Sequence, residues 1–462
     1  MALMSRSAIT KTTAIILAVI IIVVAVGIGV GLYLVTRPGP KPTIKLGCHE
    51  PLTGALAKHG EGSLRGIKLA VKHFEEDTGY DVELIVRDDE SSPERAAEVV
   101  EELCTMEKVI AITGGYGSHI IGAASEAAER NKVIYITSGG VASELVERGF
   151  KYFFRCTNVP GYAKAQIGFC KEKGVKKLAI IYNTKVATTD LAGHAKALAE
   201  EEGIEVVYYE GYPAGTADFK PMITAAVAAG AEVLIQEGYF PDYVACIRDC
   251  QTLDAPFKAW IGCWGAMIRD FIDELGDLSE YCYGTSYWVP GAVPPELKDL
   301  ETRFIEDFRK EFGGDPDYLA IIGYSHTWVL LQAIKRVLDA GKPLTSDNIR
   351  EELLKTDTIT LMGPVKFDER GENIKAEVLL CQIQEGEFVA VWPSERKTGD
   401  AIYPAVPWRP PAASSILHHT GTACLHTALS AFTLTLNAVA TWPCRAHGCW
   451  SWWLERCSPV SR

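Results

Sequence analysis

Val109–Leu145, VIAITGGYGSHIIGAASEAAERNKVIYITSGGVASEL, runs strand, turn, helix, strand, turn. Val109–Thr113 is a short apolar run that ends in Gly114 and Gly115. A helix is predicted to start near Ser118, a good N-cap because its hydroxyl can accept from a free backbone N–H. Ile120, Ala124, Ala127 and Ala128 keep helical spacing. Val133–Ile136 is a second buried-looking strand, followed by Thr137, Ser138, Gly139 and Gly140. Two parallel strands thus stop side by side, each ending in small hydroxyl and glycine residues. Open α/β sheets bind ligands at such strand ends. Helix N-termini there carry unpaired N–H groups and partial positive charge, which suits a carboxylate or carbonyl oxygen. Tight turns alone are the plainer explanation of the glycines.

Outward from this stretch the alternation continues. Before it lie a strand at Thr43–Cys48, the loop PLTGALAKHGEG, and a helix with Leu64, Ile67, Val71 and Phe74 on one face. A strand at Asp81–Arg87 follows, then a helix with Pro93 in its first turn and Ser91 or Ser92 as its cap. Repeated βα units of this length predict a parallel sheet with helices on both faces. A second series begins near Asn158. Helices over Tyr162–Lys173, Leu191–Glu202, Asp218–Ala229 and Tyr243–Leu253 alternate with strands at Lys177–Tyr182, Ile204–Glu210, Glu232–Gln236 and Ala259–Gly262. That predicts a second core, and a cleft between two domains is a preferred small-molecule site. From Trp288 come a proline-bearing crossover, long helices at Glu296–Phe312 and Asp317–Ala340, and strands with turns to Pro393.

The chain has 462 residues, enough for more than one core, with 48% hydrophobic and 23% charged residues. A net charge of −13 argues against a nucleic-acid partner, which needs a positive surface. The thirteen cysteines are scattered without a CxxC pair. Cys246 and Cys250 lack two further ligands nearby, so no metal is expected. The cysteines read as small buried hydrophobes or as disulfides of unknown pairing. No cofactor is expected either: the loop CHEPLTGALAKHGEG is not G-x-G-x-x-G, and no G-x-x-x-x-G-K-[ST] occurs.

Both ends differ from the middle. Ala14–Val35 is uncharged and long enough to cross a bilayer, which needs about 20 apolar residues. An uncleaved membrane anchor is favoured over a removed signal peptide. TRPGPKP then forms a stiff spacer. Ala412–Arg462 has no lysine and one acidic residue, Glu455, so it reads as a disordered or spurious extension, with a membrane-surface segment as the alternative.

The segments IKLGCHEPLTGALAKHGEGSLRGIKLAV, RDDESSPERAAEVVEEL, ITGGYGS and ITSGGVASELVERGFKYFFR, in that order and spacing, resemble the solute-binding proteins of ATP-driven importers, in their branched-chain amino acid and amide-binding group. The likeness runs from Thr43 to about Pro393. It implies a type I periplasmic binding fold, in the α/β class: two Rossmann-like lobes with parallel sheets, joined by three crossover strands, GPVKFDERGE marking the last crossing. It implies one lobe at 43–157 plus 288–362 and another at 158–287 plus 363–393; the anchor and spacer read above take 1–42, and an irregular tail that the family lacks takes 394–462. The crossovers would let the cleft close.

The resemblance also implies the site. Ser118 matches the family's hydroxyl that meets the ligand's carboxylate or amide oxygen, and Gly139 the position whose carbonyl faces the ligand. Gly117 and Gly140 belong to the same two loops. Val141 replaces a frequent threonine and keeps only its N–H. Tyr116 is expected to cover the pocket, with ordinary aromatic packing as the even alternative. Tyr239 matches a family tyrosine in the second lobe. Trp264 stands where leucine-type receptors carry the glutamate that pairs with the ligand's ammonium. A tryptophan offers only a ring face and an N–H. Glu237 or Asp190 can replace that charge, although a solvated loop acid is the simpler reading of each. The cysteine pair of leucine receptors is absent, with Ser91 and Gly117 in its place.

The expected partners are a small amino acid or amide ligand, the permease subunits of an importer, and the membrane through the N-terminal helix, with the binding domain outside the cytoplasm. A ligand-sensing ectodomain is the alternative, and an enzyme on the same architecture the weaker one. His59, His73, His119, His194 and His326 are isolated, and no catalytic set declares itself.

Overall fold

The strands β1 (Ile44–Glu50), β2 (Val82–Asp88), β3 (Ala111–Gly114), β4 (Ile134–Thr137) and β5 (Phe153–Arg155) form one sheet in the order β2-β1-β3-β4-β5. Every pair in it is parallel. β3 and β4 are buried along their whole length, as a sheet covered on both faces requires. This is a computed structural model, which describes residues 14–26, 41–405 and 408.

Helices Ala57–Thr78, Pro93–Thr105 and Ser118–Arg130 connect the strands. Ser92 is the cap of the second, accepting the Arg95 N–H at 3.2 Å. The Ser91 hydroxyl instead accepts from Leu56 N–H at 3.1 Å and donates to Thr53 O at 2.7 Å. Tyr318–Asp339, from far along the chain, packs on Ala57–Thr78. Glycines let the two backbones touch. A Cβ on Gly66 would lie 1.8 Å from the Ala320 carbonyl oxygen, and one on Gly323 2.2 Å from that of Ser63.

The second sheet holds β6 (Lys177–Asn183), β7 (Glu205–Tyr212), β8 (Val233–Glu237), β9 (Ala259–Ile261) and β10 (Tyr283–Ser286). After a hairpin of β11 (Asp357–Thr360) and β12 (Gly363–Lys366), the chain adds β13 (Leu379–Gln384) and β14 (Glu387–Trp392) to it. Its order is β14-β13-β10-β9-β8-β6-β7. β6 to β10 are parallel, whereas β13 and β14 run antiparallel at one edge.

Three passages join the lobes: after β5, after β10, and over residues 367–378 before β13. Asn373 ties the first to the third. Its N–H donates to Arg155 O at 3.1 Å, and its side-chain amide to Cys156 O at 2.9 Å. The buried Arg155 guanidinium pairs with Glu372 beside it.

Two helices of the second lobe, expected from Tyr162 and Tyr243, begin earlier than the periodicity indicates, while the one expected from Asp218 begins at Lys220. The two start at Val159 and at Phe240. Pro160 and Pro241 sit in their first turns, where a missing N–H costs nothing. Asn158 caps the first, accepting from Gly161 N–H at 3.1 Å.

The chain divides into Met1–Arg409 and Pro410–Arg462. The expected extension from Ala412 lies outside the described residues. Residues 394–405 carry no helix or strand, yet are tied to the second lobe. Ala405 N–H donates to Lys258 O at 2.9 Å, and Trp408 Nε1–H to Ala255 O at 2.9 Å. Residues 14–26 are helical with exposed side chains, Ile15 at 65%. Among the described residues no helix is long and apolar enough to cross a membrane, and residues 27–35 of the expected anchor lie outside them. The nine described cysteines are all free.

Candidate functional site

The C-terminal ends of β3 and β4 are stitched together by backbone. Tyr116 and Gly139 form a parallel bridge, and Gly117 N–H donates to Gly139 O at 3.0 Å. Only glycine fits at 139: a Cβ there would lie 2.1 Å from Gly115 O. Gly117, with φ 92°, is the N-cap of the Ser118–Arg130 helix, so Ser118 is the first helical residue and not the expected cap. Its hydroxyl accepts instead from two N–H groups of the neighbouring loop, Val141 and Ala142, each at 3.1 Å. The Val141 N–H is therefore engaged within the protein. With both lone pairs used, the Ser118 hydroxyl has only its hydrogen left to offer.

Polar groups behind this loop hold it. The buried Tyr135 hydroxyl lies 2.6 Å from His49 Nε2 and donates to Gly114 O at 3.2 Å. His49 Nδ1 lies 2.9 Å from Asp89. Thr137 Oγ1 donates to Gly115 O at 3.2 Å and accepts from Gly139 N–H at 3.0 Å.

The second lobe presents aromatic rings. Tyr239 precedes the helix Phe240–Thr252, and its N–H is held by the Asp242 carboxylate at 3.0 Å. Its ring lies 5.8 Å from that of Trp264, which meets Tyr162 edge-on at 5.7 Å. Tyr318, at the start of the long helix of the first lobe, donates to the Trp264 carbonyl and lies 3.2 Å from the Tyr116 hydroxyl. The Asp190 carboxylate accepts from Ser143 N–H at 2.7 Å, and Lys58 pairs with Asp270 at 3.2 Å. The Tyr318–Trp264, Ser143–Asp190 and Lys58–Asp270 contacts join residues of opposite lobes, so the cleft is shut.

A narrow cavity of about 10 Å³ remains between them. Tyr116, Gly117, Ser118, Gly139 and Val141 line it from the first lobe, and Tyr239 and Trp264 from the second. Gly140 does not line it; a Cβ there would press on Ile121 and Leu145 instead, each 2.8 Å away. Ser138, Tyr162, Ala187, Tyr318 and Ile322, not expected as site residues, complete the wall. No charged side chain is among the lining residues.

The two acids considered as replacements for the family glutamate have other surroundings. Asp190 is spent on the interlobe hydrogen bond. Glu237 is not a solvated loop acid: it is fully buried at the end of β8, and burial pushes its carboxyl up to about 7. The His59 ring lies 4.6 Å from that of Tyr116, tilted by 35°, and burial lowers it to about 4, so it is neutral at pH 7. His326, lowered to about 3 by burial, lies 3.1 Å from the Ser138 hydroxyl. Among the described residues no group of His, Cys, Asp and Glu is placed to hold a metal.

Two α/β lobes that close on a small cavity of hydroxyl, N–H and aromatic groups define a solute-binding receptor. Residues 43–387 match the family described as "Periplasmic binding protein", and the chain belongs to it. It is 31% identical over 379 residues to Leu/Ile/Val-binding protein homolog 8 of Brucella abortus, covering 76% of this chain and 90% of that relative. It is 27% identical over 372 residues to homolog 7 of the same organism, covering 76% and 91%. Among solved structures, the leucine binding protein LivK of Thermotoga maritima superposes with a TM-score of 0.67 at 26% identity, covering 75% of this chain and 97% of that one. The substrate binding protein LivJ of Streptococcus pneumoniae, in complex with isoleucine, does so with a TM-score of 0.67 at 22% identity, covering 79% and 100%. These relatives are substrate-binding proteins, not enzymes.

Proposed function

We propose that this chain captures a small polar ligand in the cleft outside the cytoplasm and hands it to the permease subunits of an ABC importer. The ligand is a branched-chain or related amino acid, or an amide or urea-type compound. The reading rests chiefly on Ser118: its hydroxyl accepts from Val141 and Ala142, so its hydrogen points the donor sense at an incoming oxygen. The helix start beside it adds N–H groups and positive potential. The names of the Brucella relatives and the isoleucine held by LivJ favour amino acids. Trp264, in place of the family glutamate, favours ligands whose cation is absent or placed elsewhere. In this reading residues 14–35 anchor the chain to the membrane, 43–157 with 288–362 form one lobe, and 158–287 with 363–393 the other.

The test is the melting temperature of the full chain, in detergent, across amino acids and amides. A ligand bound only by the folded state raises it. No shift with any of them counts against the proposal, as does failure of a tagged chain to recover a permease from its own membranes.

A further inference from the structure

The backbone N–H groups of Val141, Ala142 and Ser143 follow one another but leave their loop in two directions. Val141 and Ala142 donate to the Ser118 hydroxyl, each at 3.1 Å. Ser143 donates to the other lobe, to the Asp190 carboxylate at 2.7 Å. The Ala142 carbonyl belongs to the same peptide unit as the Ser143 N–H, and it accepts from Arg155 Nη1 at 2.6 Å. Arg155 is buried at the end of β5, where the first passage between the lobes begins. Its Nε donates at 2.9 Å to Glu372, which lies in the third passage.

A peptide unit is planar and turns as one piece. This one is held at its carbonyl end by the interlobe passages and at its N–H end by the opposite lobe. The residues just before it hold Ser118, and Val141 itself lines the cavity. Asp190 sits on the helix Val186–Glu201, and its second oxygen lies 3.5 Å from His194 Nε2. A carboxylate that accepts from an N–H makes one of the stronger hydrogen bonds. The space left between the lobes, about 10 Å³, holds about one water. A ligand therefore enters only when the lobes part, and closing them again is part of its capture.

We infer that the loop 141–143 couples ligand capture to closure of the lobes, and that Asp190 is the positioning residue of that coupling. Parting the lobes takes Asp190 away from the Ser143 N–H and leaves the loop to Arg155 and Ser118. Closing them lets Asp190 fix the peptide, and with it the two N–H groups that orient the Ser118 hydroxyl. Ligand at Ser118 and Asp190 at Ser143 then favour the same closed state, so each strengthens the other. Asp190 touches no ligand in this scheme. The inference rests on the receptor reading and adds to it a determinant outside the cavity wall.

Asp190→Ala, Asp190→Asn and Lys58→Ala are made in the full chain, in detergent, and L-leucine is titrated by calorimetry. Asp190→Ala should weaken binding by about tenfold or more, the loss of one hydrogen bond to a charged group. Asp190→Asn keeps an acceptor and should fall between that variant and the parent. Lys58→Ala breaks an exposed interlobe pair outside the loop and should cost no more than about fivefold. Residue-resolved hydrogen exchange on the same chains without ligand is the second readout. Asp190→Ala should lower protection at Val141 and Ala142, whose N–H groups bond Ser118, as well as at Ser143, and leave β4 unchanged. If Asp190→Ala does not fold, Asp190→Asn carries both measurements.

Protection lost at Ser143 alone overturns the inference. L-leucine binding by Asp190→Ala within about twofold of the parent overturns it and keeps the receptor reading. Equal losses in Asp190→Ala and Lys58→Ala also overturn it, because any contact across the cleft would then serve. A parent chain that binds no L-leucine counts against an amino acid ligand, and the exchange pattern then decides the coupling.

Discussion

Behind the glycine loop of the first lobe, His49, Asp89 and Tyr135 are wholly buried and bonded to one another; behind the aromatic wall of the second, Gln166 and Glu237 are as deeply buried and bonded to no protein group. His49 and Tyr135 lie within β1 and β4, Asp89 follows β2, Glu237 ends β8 and Gln166 sits on the helix Val159–Glu172. The first layer has a structural task. It holds Gly114 and Gly115 through Tyr135 and the His49 backbone, and so aims the donors around Ser118 before a ligand arrives. Glu50 is a partial exception there, with one oxygen accepting from Ser63 at 2.6 Å and the other unpaired. The second layer has no such task. The contrast teaches that one lobe presents a finished oxygen site, while the other buries polar groups that its packing leaves unpaired.

Removing a member of each layer should separate them. Asp89→Ala strips the acceptor from His49 and from the Ser91 N–H at 3.0 Å. By analogy with broken buried pairs it should cost about 3–5 kcal/mol in urea unfolding. A cost below about 1 kcal/mol would erase the contrast. Ser118→Ala leaves two N–H groups unpaired at the loop and should cost about 1–3 kcal/mol. The same variant should weaken carboxylate ligands by about tenfold or more in calorimetry.

The pH dependence sharpens the contrast further. Glu237 is raised from its ordinary 4.5 to about 7 in the fold. The folded protein holds that proton more tightly, so the contribution is present below pH 4.5 and is lost as pH rises through 7. His59 is lowered from 6.5 to about 4. Its contribution is present above pH 6.5 and is lost as pH falls through 4. The stability of the parent minus that of Glu237→Gln should therefore fall between pH 5 and 8, by at most about 1.4 kcal/mol per unit. A flat difference would show that Glu237 is not isolated. The smallest expected effect is Gln166→Leu, within about 1 kcal/mol of the parent because no protein hydrogen bond is lost. A larger loss would place Gln166 with the structural layer.

Much of the fold was legible because it is local. The strands around Ala111 and Ile134, their glycine ends and the helix between them follow from periodicity and turn residues within 37 positions. The family resemblance carried Tyr116, Ser118, Gly139, Val141, Tyr239 and Trp264 to one cavity. Tyr318 and Ile322 escaped notice because they reach the cavity from a helix some two hundred residues beyond Tyr116. Tyr162 was expected only as the start of a helix; packing against Trp264 and Tyr287 brings it to the wall. Glu237 was misread because an acid after a strand ordinarily meets water, and its burial comes from elements distant in sequence.

The order of elements, the parallel sheets and the two loops that end in glycine were settled by the chain's own pattern, since period, capping and turn chemistry act over a few residues. Which polar groups find partners was settled only by packing. His49 meets Asp89 and Tyr135 across 40 and 86 positions, and Ser118 meets Val141 across 23. A hydrogen bond requires contact and direction, and no local pattern supplies either between segments that the fold alone brings together.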